Sequence, residues 1–208
     1  MKSTLFNMVA VLFSVTLIAS AGVGAVNMLT VDAIAEAKAL ATTEAVKNVL
    51  PAFDNTEDWE MEIDQMPVKI YKALSADAVV GYAVEAMSKN GFGGAIRVMV
   101  GFSTEGKILN VNVLEQKETP GLGANMTKAG NSLERSIVAK DPATLTFAVT
   151  KEGGSFDALT GSTISSRAYA NAVETAYAGY LWATGRLNTE AQAESMTGGT
   201  IQSDSNLM

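Results

Sequence analysis

Two short segments hold the groups from which a ligand site could be built. The first, Gly153 to Ala168, reads GGSFDALTGSTISSRA. A glycine pair, the acid Asp157 and the turn Thr160-Gly161-Ser162-Thr163 come directly before Ile164 and a long helical pattern. Hydroxyls at a helix start lie beside unpaired backbone N–H groups and the positive end of the helix dipole, a combination that favours phosphate. The same hydroxyls serve as ordinary caps, and from these residues alone capping is the simpler reading. The second segment, Glu118 to Gly123, reads ETPGLG. Pro120-Gly121 makes a tight turn, and Gly123 lets backbone approach a ligand or another chain closely. It fails as a dinucleotide fingerprint: Met126 stands where the third glycine would be, and no crossover helix is predicted after it. By itself it reads as a turn.

Absences narrow the chemistry further. The 208 residues contain no Cys and no His. That removes thiolate metal sites, iron–sulfur ligation, cysteine nucleophiles, serine–histidine triads and the usual zinc sites. Any redox chemistry must come from a bound group. With 15 Lys and Arg against 22 Asp and Glu, the net charge is -7. No basic footprint exists to neutralise a phosphate backbone, so nucleic acid is not an expected partner. A chain that is 48% hydrophobic and 18% charged is too apolar to be disordered.

The elements that must position the two segments begin with an apolar run. Residues 3 to 31 carry no charge, and Leu5 to Val26 as a helix would reach ~33 Å at ~1.5 Å per residue, enough to cross the hydrocarbon layer. Ala19-Ser20-Ala21 has the form of a signal-peptidase site, but the apolar run continues past it, which favours a retained anchor. Lys2 before the span, with Asp32 and Glu36 after it, favours a cytoplasmic amino terminus and an extracytoplasmic bulk, in the cell membrane.

Residues 32 to 50 are Ala-rich and end before Pro51, which predicts a helix continuing from the anchor. The six acids between Asp54 and Asp64 lack the spacing and central glycine of a calcium loop and read as a solvated acidic surface. From Val68 the pattern alternates. Strands are predicted around Val80 to Ala86, Ile96 to Phe102 and Ile108 to Val113, with a turn at Glu105-Gly106-Lys107. A short helix falls within 125 to 140, a further strand at Leu145, Phe147 and Val149, and a final helix at Thr163 to Trp182 with Tyr169, Val173, Ala176, Tyr177 and Tyr180 on one face. The expected fold class is α+β, a twisted antiparallel sheet packed by helices. The expected organisation is an anchor (1–31), a helical connector with the acidic segment (32–66), the α+β domain (67–186) and a polar tail (187–208).

Taken together, an ETPGLG turn and, about 30 residues later, a GG-x-F-D-x-x-T-G-x-T-I-x-S-R-A segment, behind one amino-terminal span, resemble the FMN-binding subunits of two related membrane complexes. These are the RnfG family, from the Rnf ferredoxin:NAD oxidoreductase, and the NqrC family, from the sodium-pumping NADH:quinone reductase. The KETPGLG and FDALTGSTISSRA strings and the compact length look closer to RnfG. In these families the last Thr of an [ST]-G-A-T motif is esterified to the FMN phosphate by a flavin transferase. The resemblance thus implies a phosphoester at Thr163, with Asp157, Thr160, Gly161 and Ser162 as motif residues and Ile164 beside them.

It further implies a ledge for the flavin at Pro120, Gly121, Leu122 and Gly123. Glu118 and Thr119 either bond the flavin or fix the turn, and Arg167 pairs with phosphate or with a carboxylate such as Asp157. Two departures stand out. Ser162 occupies the usual Ala position and puts a second hydroxyl beside Thr163, and Gln116 stands where many RnfG sequences have His. The implied role is an electron carrier within the Rnf complex, whose other membrane subunits are its partners and which moves Na⁺ or H⁺. Two rival readings remain, an anchored assembly module without flavin and a secreted carrier cleaved after Ala21.

Overall fold

The uncharged residues at the start and the Ala-rich residues after them hold no proline before Pro51, so no residue up to there lacks the N–H a helix needs. In the computed structural model, which describes residues 5–186, they form one uninterrupted helix, α1 (Leu5–Val49). Its apolar part has a mean hydropathy of 2.2 over 18 residues and none of that stretch is buried, as suits a helix whose solvent is lipid. The chain divides into two units at Thr42/Thr43. Helix α1 up to Thr42 is the first, and its last turns belong to the second. The polar tail expected at 187–208 lies outside the described residues.

The second unit is a meander of five strands in sequence order, all neighbours antiparallel. They are β1 (Asn55–Ile63), β2 (Met66–Ser75), β3 (Ala78–Ser88), β4 (Ile96–Phe102) and β5 (Ile108–Glu115). The first two hairpins close through two-residue turns, Asp64-Gln65 and Ala76-Asp77, all four with positive φ. That geometry matches strand twist. The strands read at Val80, Ile96 and Ile108 stand where the alternation placed them, as does the Glu105–Lys107 turn.

One face of the sheet is covered by the last helix, here α3 (Thr163–Ala183), after the short α2 (Ser132–Ile137). Tyr169, Val173, Ala176 and Tyr180 are buried against Val68, Ile70, Val84, Val98 and Val100. The Tyr180 ring stacks on Phe102 with centroids 4.8 Å apart, a geometry that adds to plain area burial. On the opposite face, Ala45, Val46 and Val49 from the end of α1 pack with Ala73, Ala83 and Met99.

Two expectations need correction. The six acids from Asp54 to Asp64 are exposed, as a solvated surface requires, but the segment is not a connector. It is edge strand β1, paired over its whole length with β2, and its acids meet lysines across the ladder: Glu57 with Lys72 at 2.9 Å, Glu60 with Lys69 at 2.9 Å. Edge strands tolerate such charge because one side stays wet. The expected strand at 145–149 is absent, leaving one isolated bridge from Val149 to Phe156. Val149 is buried, with Leu145 and Phe147 half-buried, so the alternation is real. The backbone, however, satisfies itself locally, with Ser155 N–H donating to Thr146 and Phe156 N–H to Ala148.

Candidate functional site

Both singled-out segments arrive at one place, together with a third that carries no sequence pattern of its own. The loop between β3 and β4, the ETPGLG turn after β5 and the first turn of α3 enclose a cavity of about 340 Å³. It is lined by Phe92, Glu118, Thr119, Leu122, Gly123, Gly161, Ser162, Thr163, Ile164 and Ser165.

Glu118 ties the three segments. It is 5% exposed. One carboxylate oxygen accepts the Gly93 N–H at 2.9 Å from the β3–β4 loop, and the other accepts the Ser165 hydroxyl from α3. Its own N–H donates to the Gln116 side chain at 2.7 Å. A buried carboxylate needs such partners, because desolvating a charge without them is expensive. These bonds tie the turn to the β3–β4 loop and to α3. Gly123 sits inside this knot: a Cβ there would lie 2.5 Å from Ser165 Oγ and 2.8 Å from Glu118 Cβ. The glycine is required for close approach, as expected, but the approach is to the protein's own α3.

At the start of α3, Ser162 holds the cap position yet its side chain bonds none of the first N–H groups. Capping by Ser162 is therefore not what orders this turn. Ser166 orders it, accepting the Leu159 N–H at 3.0 Å and donating to the Ser162 carbonyl at 2.8 Å. The hydroxyls that the start of α3 brings to the cavity then differ in availability. Ser165 is committed to Glu118, Ser162 is 7% exposed, and Thr163, the first helical residue, is half-buried and borders the cavity.

Of the residues expected at the site, Glu118, Thr119, Leu122, Gly123, Gly161, Ser162, Thr163 and Ile164 line the cavity, whereas Pro120, Gly121, Asp157 and Thr160 do not. Asp157 and Thr160 are exposed; both belong to the segment that delivers Thr163 rather than to the wall. Arg167 pairs with Glu152 and not with Asp157, its Nε donating at 2.8 Å, and this partner holds the guanidinium further into its charged range.

The missed residue is Phe92. Among the described residues beyond α1, five large apolar side chains are exposed: Trp59, Phe92, Leu122, Ile164 and Trp182. Three of them rim this cavity. The available signal was an aromatic set among glycines, Gly91-Phe92-Gly93-Gly94, with no alternation to bury it.

Comparison with known proteins puts a family on this geometry. Residues 91–178 match the FMN-binding domain, a stretch that opens at the Phe92 loop and runs through most of α3. The G subunit of an ion-translocating oxidoreductase complex from Shewanella amazonensis is 35% identical over 172 residues, covering 76% of this chain and 79% of the relative. The chain belongs to the RnfG family. Within it, the G subunit of the Na⁺-translocating ferredoxin:NAD⁺ oxidoreductase complex of Acetobacterium woodii is 30% identical over 181 residues, covering 81% of this chain and 87% of the relative. The G subunit of the Pseudomonas aeruginosa ion-translocating oxidoreductase complex is 35% identical over 181 residues, covering 77% of this chain and 82% of the relative.

Proposed function

We propose that this RnfG family member is the electron-carrying flavoprotein of an ion-translocating ferredoxin:NAD oxidoreductase, holding FMN through a phosphoester to Thr163. The observation that carries this reading is the placement of Thr163. Among the hydroxyls at the start of α3 that line the cavity, its own is neither buried like Ser162 nor committed like Ser165.

The residues present fit the group. The cavity falls within the range of small-molecule clefts, about 300–1,000 Å³. The first N–H groups of α3, left without a bond from the cap side chain, offer donors and a favourable dipole to a phosphate. Leu122, Ile164 and Phe92 supply an apolar rim for an aromatic ring. When bound, FMN supplies the one- and two-electron chemistry that a chain without Cys and His lacks. The chain's part is attachment at Thr163, orientation by the Glu118 knot and exclusion of water by the rim. A covalent link also keeps the site filled where free FMN is dilute.

Attachment requires a flavin transferase, and the partners are the other membrane subunits of the complex. The uncharged stretch of α1 and the order of Lys2, Asp32 and Glu36 support a single-pass anchor with the amino terminus in the cytoplasm and the sheet domain outside. The domain boundaries follow the same division, with β1 assigned to the sheet. Flavin fluorescence that survives in a denaturing gel band and disappears in Thr163→Val tests the linkage, and peptide mass across Lys151 to Arg167 locates it. Loss in Ser162→Ala instead would move the ester by one residue. A colourless chain matured together with the transferase would leave an assembly module, and an intact mass lacking Met1 to Ala21 would leave a secreted carrier.

A further inference from the structure

We infer that Phe92 is a flavin-contact residue, an aromatic wall that packs against the isoalloxazine of FMN held at Thr163. This deepens the proposed function and rests on it.

The argument starts from a mismatch between backbone and side chain. The loop around Phe92 is fastened on both sides. The Gly93 N–H donates to Glu118 at 2.9 Å, a Cβ on Gly93 would overlap the Lys117 carbonyl, and one on Gly91 would lie 2.8 Å from a Glu118 carboxylate oxygen. Only glycines fit there, so the loop is pressed onto the ETPGLG strand end. Yet the side chain between them is 70% exposed. A fixed backbone presenting an uncovered phenyl ring leaves unused one of the larger apolar gains available to a side chain, which a partner ring would collect.

That ring lines the same cavity as Thr163 and shares its rim with Leu122 and Ile164. A tricyclic aromatic ligand tethered at Thr163 is the apolar surface that a ring at this position would cover, and burying both removes water from each. Glu118 then acts as a positioning residue: one carboxylate joins the Phe92 loop to the helix that carries the attachment point.

The test uses the full-length protein matured with its transferase, with covalent loading read first in a denaturing gel. Indole quenches flavin fluorescence on contact, so Phe92→Trp is expected to shorten the flavin lifetime several-fold in the folded protein, with recovery on unfolding. A loaded Phe92→Trp protein whose lifetime matches the wild type overturns the inference and leaves Phe92 as a docking contact for another protein of the complex. Fluorine NMR of fluorophenylalanine-labelled wild type gives an answer that does not depend on how well the variant is loaded. The Phe92 signal, identified by its absence from Phe92→Leu, is expected to shift between the flavin-loaded chain and unloaded Thr163→Val, while those of buried Phe102 and Phe156 stay. An unmoved Phe92 signal refutes the contact. A wild-type chain without flavin refutes the underlying function and this inference with it.

Discussion

Two clefts of the sheet domain differ in what their walls leave unused, and the larger of the pair is the less promising. A cleft of about 560 Å³ lies over the sheet, lined by Glu60, Met61, Glu62, Pro67, Val68, Lys69, Glu85, Met87 and Arg97. The cavity at α3 has about 340 Å³. In the larger cleft the cations already have protein partners. Lys69 reaches Glu60 at 2.9 Å and Asp58 at 3.3 Å; Arg97 reaches Glu85 at 3.0 Å and Glu115 at 3.4 Å. The hydrogen bond that Lys69 donates to Glu60 pushes its ammonium well above its ordinary value. At α3 the acid is spent on holding walls together, while the hydroxyls of Thr119 and Thr163 and a rim of apolar side chains are left over. Size measures how much fits, whereas unspent groups measure what is recognised.

That contrast can be broken or sharpened by substitution. The largest expected effect is in flavin content. Thr163→Val loses all covalent flavin, whereas Lys69→Ala in the larger cleft keeps it, as read by absorbance after denaturation; equal loss in both would erase the distinction. Next comes Glu118→Ala, which strands the Gly93 N–H and the Ser165 hydroxyl. It should cost about 1–3 kcal/mol in urea unfolding of the unloaded chain. Glu118→Gln, which can still accept from Gly93 and donate to Ser165, should recover most of that.

Gly123→Ala pushes a methyl group into the same knot and should cost on the order of 1–3 kcal/mol, with the α3 start as the first region to lose hydrogen-exchange protection. Lys69→Ala itself should cost below about 1 kcal/mol, because its pairs are exposed and screened. The smallest effect belongs to Glu174 on α3, whose carboxyl is raised above its usual value, first by burial and further by Asp64. A raised acid value means that the folded state binds the proton more tightly, so this group destabilises above its folded value and not below its unfolded one. Glu174→Gln should therefore stabilise by less than about 1 kcal/mol at neutral pH. The gain should vanish as pH falls through the ordinary glutamate range, and a gain that persists in acid would contradict the sign.

Where the sequence was legible, one residue's pattern carried its own reason. Val80 to Ala86 and Ile96 to Phe102 alternate because one face is buried, and Thr163 to Trp182 repeats at helical spacing because one stripe is. Where it failed, the deciding partner lay elsewhere in the chain. The acids of β1 are solvated as their composition suggests, but that they stand on a strand shows only once Lys69 and Lys72 are opposite them. Leu145, Phe147 and Val149 look like a strand, but only Val149 pairs, in one isolated bridge to Phe156, and β5 is the last strand of the sheet. Arg167 could be assigned a carboxylate from sequence, yet choosing Glu152 over Asp157 needed the fold. Phe92 carried no periodicity at all.

By itself the sequence determined that this protein crosses from an apolar helix into an α+β domain, lacks redox groups of its own, and carries a Thr-Gly-Ser-Thr turn at the start of its last helix. Those are properties of composition and local spacing. Tertiary structure alone decided which hydroxyl at the start of α3 borders the cavity uncommitted, because availability depends on what else is within reach. Burial removes Ser162, a carboxylate 47 residues away takes Ser165, and Thr163 is left facing the cavity beside a phenylalanine that no local pattern had connected to it.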